Sequence, residues 1–161
     1  MGDLMSTPHP IHLRCAGHED ARAVFDWRND PVTRAASLET DLISWPVHEL
    51  WWKASLGRAD RVLIVGEDAW NRPVGLVRFD ALDGRWLVSI QVAPERRGQG
   101  WGRALLEGGL RRMEGKQGAH RFTAQIKDDN EASKRLFAAC GFNPCVGLEW
   151  TLVRPRRRAA A

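Results

Sequence analysis

With 161 residues, 43% hydrophobic and 27% charged, the chain has the make-up of one folded domain, not of a disordered or fibrous polymer. No stretch nears the roughly 18–20 apolar residues of a membrane span, and Met1–Pro10 lacks the basic-then-apolar order of a secretory leader; neither a membrane partner nor export is expected, and a cytoplasmic location is. Three cysteines without a CxxC pair, Cys15, Cys140 and Cys145, argue against a disulfide framework or a metal site, and the net charge of +4 draws on a C-terminal run of arginines, Arg154 and Arg156 to Arg158.

In chain order, Ile11–Cys15 alternates like a short strand, and Glu19–Arg28 carries Ala21, Val24 and Phe25 at helical spacing. Pro31 stops that helix at Asn29-Asp30, because it restrains the residue before it and has no N–H. The stretch Val32–Trp45 has no clean period. Ser44 followed by Pro46 reads as the entry to a helix that Gly57 closes. Three strands follow: Arg61–Val65, ended by Gly66, then Pro73–Phe79, then Arg85–Val92. The last two are joined by the hairpin signal Asp83-Gly84. Gly100–Met113 is a helix with Leu106, Leu110 and Met113 on one stripe. Arg121–Ile126 is a strand, Asn130–Cys140 a helix with Gly141 at its end, and Gly147–Val153 a final strand, with a short extra strand near Phe142. The order predicts a mixed α/β domain over 11–153, flanked by a flexible 1–10 and a flexible basic tail at 154–161.

The segment Val92–Arg103 is the informative one. A strand ends, a basic turn with Gly98, Gly100 and Gly102 follows, and a helix begins. Glycines let the backbone approach a ligand closely, and the free N–H groups of a helix start suit a pyrophosphate. Arg96, Arg97 and Arg103 can add charge-assisted bonds. A Rossmann dinucleotide site fits poorly, since Arg103 stands where that pattern wants glycine. A P-loop is excluded because no Gly-Lys-Ser or Gly-Lys-Thr follows.

Arg97-Gly98-Gln99-Gly100-Trp101-Gly102 resembles the Q/R-x-x-G-x-G/A motif of the GNAT acetyltransferase superfamily. Asn130-Glu131-Ala132-Ser133-Lys134-Arg135-Leu136-Phe137, running on to Gly141-Phe142, resembles that family's N-x-x-S-x-x-L-Y helix. The resemblance implies a central, mostly antiparallel sheet with two splayed strands and about four helices. It implies acetyl-CoA (coenzyme A) as cofactor and acetyl transfer to a primary amine by direct attack on the thioester. Ile90, Gln91 and Val92 would line the pantetheine. Backbone N–H groups from Arg97 through Gly98, Gln99, Gly100, Trp101 and Gly102 to Arg103 would hold the pyrophosphate. Asn130, Ser133 and Phe137 would face the cofactor from the next helix.

One position departs from the family pattern. Phe137 stands where many members carry the tyrosine that protonates the leaving thiolate, and the chain has no tyrosine at all. Ser133, Cys140 or water would have to substitute. On the acceptor side, Trp27-Arg28-Asn29-Asp30 and His48-Glu49-Leu50-Trp51 resemble a branch with amino-sugar and ribosomal-protein N-terminal acetyltransferases. Trp27, Arg28, Asn29, His48 and Trp51 are thus candidate substrate contacts. His48 is also a candidate general base, with Glu67 and Asp68 as alternatives. The expected acceptor is a small-molecule amine, a nucleotide-linked amino sugar first, or else a protein N-terminus. A catalytically silent acyl-CoA-binding domain is the rival reading. A homodimer is compatible with the family, and a nucleic-acid partner, resting on the tail alone, is not expected.

Overall fold

The computed structural model describes residues 9–156. Seven strands form one sheet in the order β1-β2-β3-β4-β5-β7-β6. They are β1 (His12–Cys15), β2 (Arg61–Glu67), β3 (Pro73–Leu82), β4 (Arg85–Val92), β5 (Arg121–Gln125), β6 (Asn143–Pro144) and β7 (Glu149–Val153). Every neighbouring pair is antiparallel except β4 with β5. The helices are α1 (Ala21–Asn29), α2 (Pro31–Ala36), α3 (Trp45–Leu56), α4 (Trp101–Gln117) and α5 (Glu131–Ala139).

Alternation along the strands sends apolar side chains to both faces, so the sheet has two cores. On one face Ile64, Val77, Phe79, Val88 and Phe122 pack against Leu105, Leu106, Leu110 and Met113 of α4 and Phe137 of α5. On the other, Leu63, Val65 and Leu76 meet Val24 and Trp27 of α1 and Trp52 of α3. The β3–β4 turn has Asp83 at φ 47° and Gly84 at φ 76°, the left-handed pair that a two-residue hairpin needs.

Several sequence expectations change. Val32–Trp45 contains a helix, α2, that lacks an apolar stripe because none of its residues is buried. It is held by its N-cap instead: the Asp30 carboxylate accepts from the Thr33 N–H at 3.0 Å. Gly66 does not end β2. It pairs with Leu13 and Gly75, and a Cβ there would lie 2.6 Å from Ile11 Cδ1, so glycine serves close packing. There are five α-helices among the described residues, not about four. Arg154, assigned to the tail, is anchored: its N–H donates to the His120 carbonyl at 2.7 Å, and its guanidinium lies 3.2 Å from Glu114. Arg157 and Arg158, like residues 1–8, lie outside the described residues.

Candidate active site

Strands β4 and β5 are paired only at Trp86↔Phe122 and Leu87↔Thr123. Beyond Leu87 the two diverge, leaving a wedge in the middle of the sheet. Ile90, Gln91 and Val92 lie on the β4 wall of that wedge. Among the described residues, the Gln91 Oε1 is buried without a partner, as is the Thr123 Oγ1 on β5. Ala93 and a short 3-10 turn, Pro94–Arg96, carry the chain from β4 to the glycine turn.

Gly98 (φ 70°) and Gly100 (φ 86°) are both left-handed, and Gly100 is the N-cap of α4. Gly102 lies where a Cβ would be in ordinary contact, 3.4 Å, with Leu136 and Val92, so α4 starts close against β4 and α5. The first N–H groups of α4, those of Trp101, Gly102 and Arg103, have no intrahelical acceptor. Trp101 is 7% exposed, and its indole N–H is buried without a partner among the described residues. The His9 ring stacks on it at 4.3 Å, and His9 Nε2 meets the Gln99 carbonyl.

The arginines around this turn are already paired. Arg103 bonds Glu107 at 3.1 Å. Arg96 bonds Asp68 at 2.7 Å. Arg97 reaches Asp30 at 2.6 Å and Thr33 Oγ1 at 2.5 Å, and this contact holds the Asp30 carboxyl below its ordinary value. The turn therefore offers an anion backbone N–H groups first, with Arg97 committed to α2. The far end of α2 is tied across the wedge: Lys127 donates to the Ala35 carbonyl at 2.9 Å and Asn130 to that of Ala36 at 3.4 Å. A six-residue helix thus bridges the ends of the two splayed strands.

At the start of α5, the side-chain Oδ1 of Asn130 caps the helix by accepting from the Ser133 N–H at 3.1 Å. Phe137 is 3% exposed and packs edge-to-face on Phe142, with ring centres 4.9 Å apart. Burial pushes the Cys140 thiol up to about 11, which makes it a weaker acid than a free thiol.

The acceptor-side candidates separate. His48 is 3% exposed, and its Nε2 bonds the Ala21 carbonyl at 2.9 Å. Its ring lies among Phe25, Trp45, Trp51 and Trp52, and burial lowers its pKa. These partners all belong to α1 and α3, so His48 joins two helices rather than facing the wedge. Trp27 belongs to the core beneath α1. Both ends of the Asn29 amide bond the Ile43 backbone, at 2.8 and 2.9 Å, clamping the α2–α3 connection. Glu67 is held by Arg14 at 2.6 Å. Asp68 is charged despite its burial: the Arg72 N–H, the Arg96 guanidinium and the Trp70 N–H hold its carboxyl at about 2. Trp51 alone of the acceptor candidates touches a polar group of side chains that the sequence reading missed, and the charge of Arg28 acts on the same group. That group is Arg61, Arg78 and Asp80, on the α1–α3 face of the sheet. A signal was present: in Leu76–Asp80 the charged residues occupy alternate places in an otherwise apolar strand.

The Acetyltransferase (GNAT) family matches residues 21–142, three quarters of the chain. The chain belongs to the GNAT family. It is an N-acetyltransferase that uses acetyl-CoA. The spermidine N-acetyltransferase from Vibrio cholerae, in complex with CoA and spermine, has a similar fold: TM-score 0.81 and 19% identity over 91% of this chain and 96% of that one. A dodecameric structure of the spermidine N-acetyltransferase from Vibrio cholerae superposes with TM-score 0.73 and 19% identity, over 89% of this chain and 94% of that chain. At such identity the likeness is one of fold. No curated protein matches the chain significantly. The GNAT turn fits its cofactor: two left-handed glycines, a helix start with no side-chain cap and a wedge with unpartnered polar atoms suit a phosphate-bearing arm threaded between β4 and β5. No helix among the described residues is long and apolar enough to cross a membrane.

Proposed function

We propose that this GNAT enzyme acetylates the primary amine of a small molecule by direct attack, with no acetylated side chain on the way. The observation that carries this reading is the wedge. It opens beyond Leu87 and Thr123 with the glycine turn at one end and a polar sheet face beneath α1 and α3. Two reactants held on either side of one gap need no covalent relay. Acetyl-CoA supplies the activated carbonyl. Ile90, Gln91 and Val92 line the β4 side, with backbone N–H groups of the Arg97–Arg103 turn at the phosphates. Asn130 and Ser133 shape the end of α5. A backbone N–H near Val92 is the proposed donor to the developing oxyanion.

His48 is spoken for by Ala21, Glu67 by Arg14, and Asp68 by Arg72 and Arg96. We therefore assign deprotonation of the acceptor ammonium to water, and we assign His48 to packing. Protonation of the leaving thiolate falls to water or the Ser133 hydroxyl, since Phe137 has no proton to give and Cys140 is buried in the core. A free thiol of pKa about 8.5 is a tolerable leaving group. The nucleotide-linked amino sugar stays within this class of acceptor. We carry the homodimer in the same reading: Leu42 and Leu50, 68% and 72% exposed, supply apolar surface for it, and sedimentation of wild type against Leu50→Glu tests it.

The experiment is steady-state release of free CoA across a panel of amines. Turnover well above acetyl-CoA hydrolysis supports the reading; none with any amine, while acetyl-CoA binds, overturns it. With water as base, log(kcat/KM) should rise with slope near one as pH approaches the amine's own pKa. An added break between pH 6 and 7 would show an enzyme base. Phe137→Tyr asks whether thiolate protonation limits the rate: faster turnover says that it does, unchanged turnover that it does not.

A further inference from the structure

The sheet face beneath α1 and α3 carries more positive charge than it can pair. On β2 and β3, Arg61 bonds Asp80 at 2.5 Å and Ser55 at 2.8 Å, while Arg78 lies 2.9 Å from the same Asp80. Both guanidiniums lie over the Trp51 ring, 5.4 and 5.7 Å from its centre. Arg28 comes down from α1. Its Nη2 donates to the Glu39 carbonyl at 2.9 Å, but its Nη1 is buried without any partner among the described residues. Burial disfavours the Arg78 cation; Asp80 offsets this, and the charges of Arg61 and Arg28 add to the strain. Two guanidiniums thus share one carboxylate, and the charge of a third, Arg28, acts on the same group.

The position matters as much as the charge. Arg78 stands opposite Ser89 of β4, and its Nη2 is 3.4 Å from the Ser89 hydroxyl. Ser89 is two residues past Leu87, where the pairing of β4 with β5 stops. One step along the same face, Thr123 of β5 is 2% exposed with its hydroxyl unpartnered. Repelling cations with unused N–H donors, half withdrawn from water, are costly unless an anion joins them. A planar guanidinium suits a carboxylate or phosphate, which it can bond with two parallel N–H groups.

We propose that the acceptor amine carries an anionic group, phosphate or carboxylate, that seats on Arg28 and Arg78 beside Trp51. This rests on the small-molecule reading above and narrows its substrate class. It also separates this enzyme from the spermidine N-acetyltransferases that share its fold, since a polycation would meet like charge here. The same cations lower the pKa of an ammonium bound beside them, which eases its deprotonation by water.

The test uses matched amines that differ by the anion: glucosamine 6-phosphate against glucosamine, and L-phenylalanine against 2-phenylethylamine, with spermidine as the polycation. Calorimetric titration of each into the CoA-saturated enzyme measures binding apart from turnover. At least one anionic member should bind about 10- to 100-fold tighter than its neutral partner. Preference in the first pair alone assigns a phosphate, and in the second alone a carboxylate. Arg28→Gln should bring that ratio towards one, and Arg28→Lys should restore part of it, while the CoA-induced thermal shift reports that each variant is folded. Neutral amines or spermidine binding as tightly as the anionic ones would overturn the anion seat, whatever the turnover. Selective anion binding without CoA release would keep the seat and overturn the small-molecule-acceptor reading instead.

Discussion

His48 shows what burial does to a residue that looks catalytic. Its unperturbed pKa lies near neutrality, and its place beside Trp51 and Trp52 reads as a base next to a stacking platform. Packed among four aromatic rings, it is kept neutral, and its bond to Ala21 joins α3 to the start of α1. The consequence is a stability that depends on pH. Burial depresses the folded pKa below 6.5, so the unfolded chain binds the proton more readily. The stabilisation is complete above about pH 7 and is lost as pH falls below 6.5 towards the lower folded value. Urea midpoints measured from pH 8 to 5.5 should fall with pH, and His48→Gln should flatten that slope. An unaltered slope would place the titration elsewhere. Arg97 teaches the companion lesson. It satisfies the cofactor motif, yet its guanidinium holds Asp30 and Thr33 of α2 and its own N–H donates to the Pro94 carbonyl at 3.4 Å, so an anion is left to the N–H groups that follow it.

At the scale of elements, α4 is defined by how near it comes to the sheet. Gly108 and Gly109 face inwards, and a Cβ on Gly109 would lie 2.9 Å from Val77 and 3.2 Å from the Phe79 ring. Overpacking of that kind costs about 1–3 kcal/mol, against about 1 kcal/mol gained from the helix propensity of alanine. Gly109→Ala should therefore lower stability by about 1 kcal/mol, or roughly 2–4 °C in Tm. Gly115, in the same helix with nothing within 4 Å of its Cβ position, is the control. Gly115→Ala should raise stability by about 1 kcal/mol. If both variants shift the same way, sheet contact does not explain Gly109. The element that escaped sequence reading, α2, is the opposite case. It has no buried residue, so no periodicity marks it, and tertiary bonds to Arg97, Lys127 and Asn130 hold it.

At the scale of the molecule, the proposed cofactor site spans the end of β4, the start of α4 and the start of α5, so its ligand should stabilise the whole fold. Acetyl-CoA at about 100 times its dissociation constant should add about 2.7 kcal/mol, a rise of roughly 5–10 °C. NAD and ATP should add little, because the turn lacks their binding patterns; equal shifts with all three would reduce the site to a general anion cradle. The sequence by itself determined the fold class, the strand–turn–helix with its two left-handed glycines and most element boundaries. Those features are local: glycines at fixed offsets, apolar periods and prolines act through a few neighbouring residues. Only the tertiary structure decided which side chains meet. It withdrew His48, Asn29 and the Arg97 guanidinium into structural bonds. It also brought Arg28 from α1, Trp51 from α3, Arg61 from β2 and Arg78 from β3 onto one face. The physical reason is that charge and burial at a site are sums over residues far apart in the chain, and no local pattern encodes them.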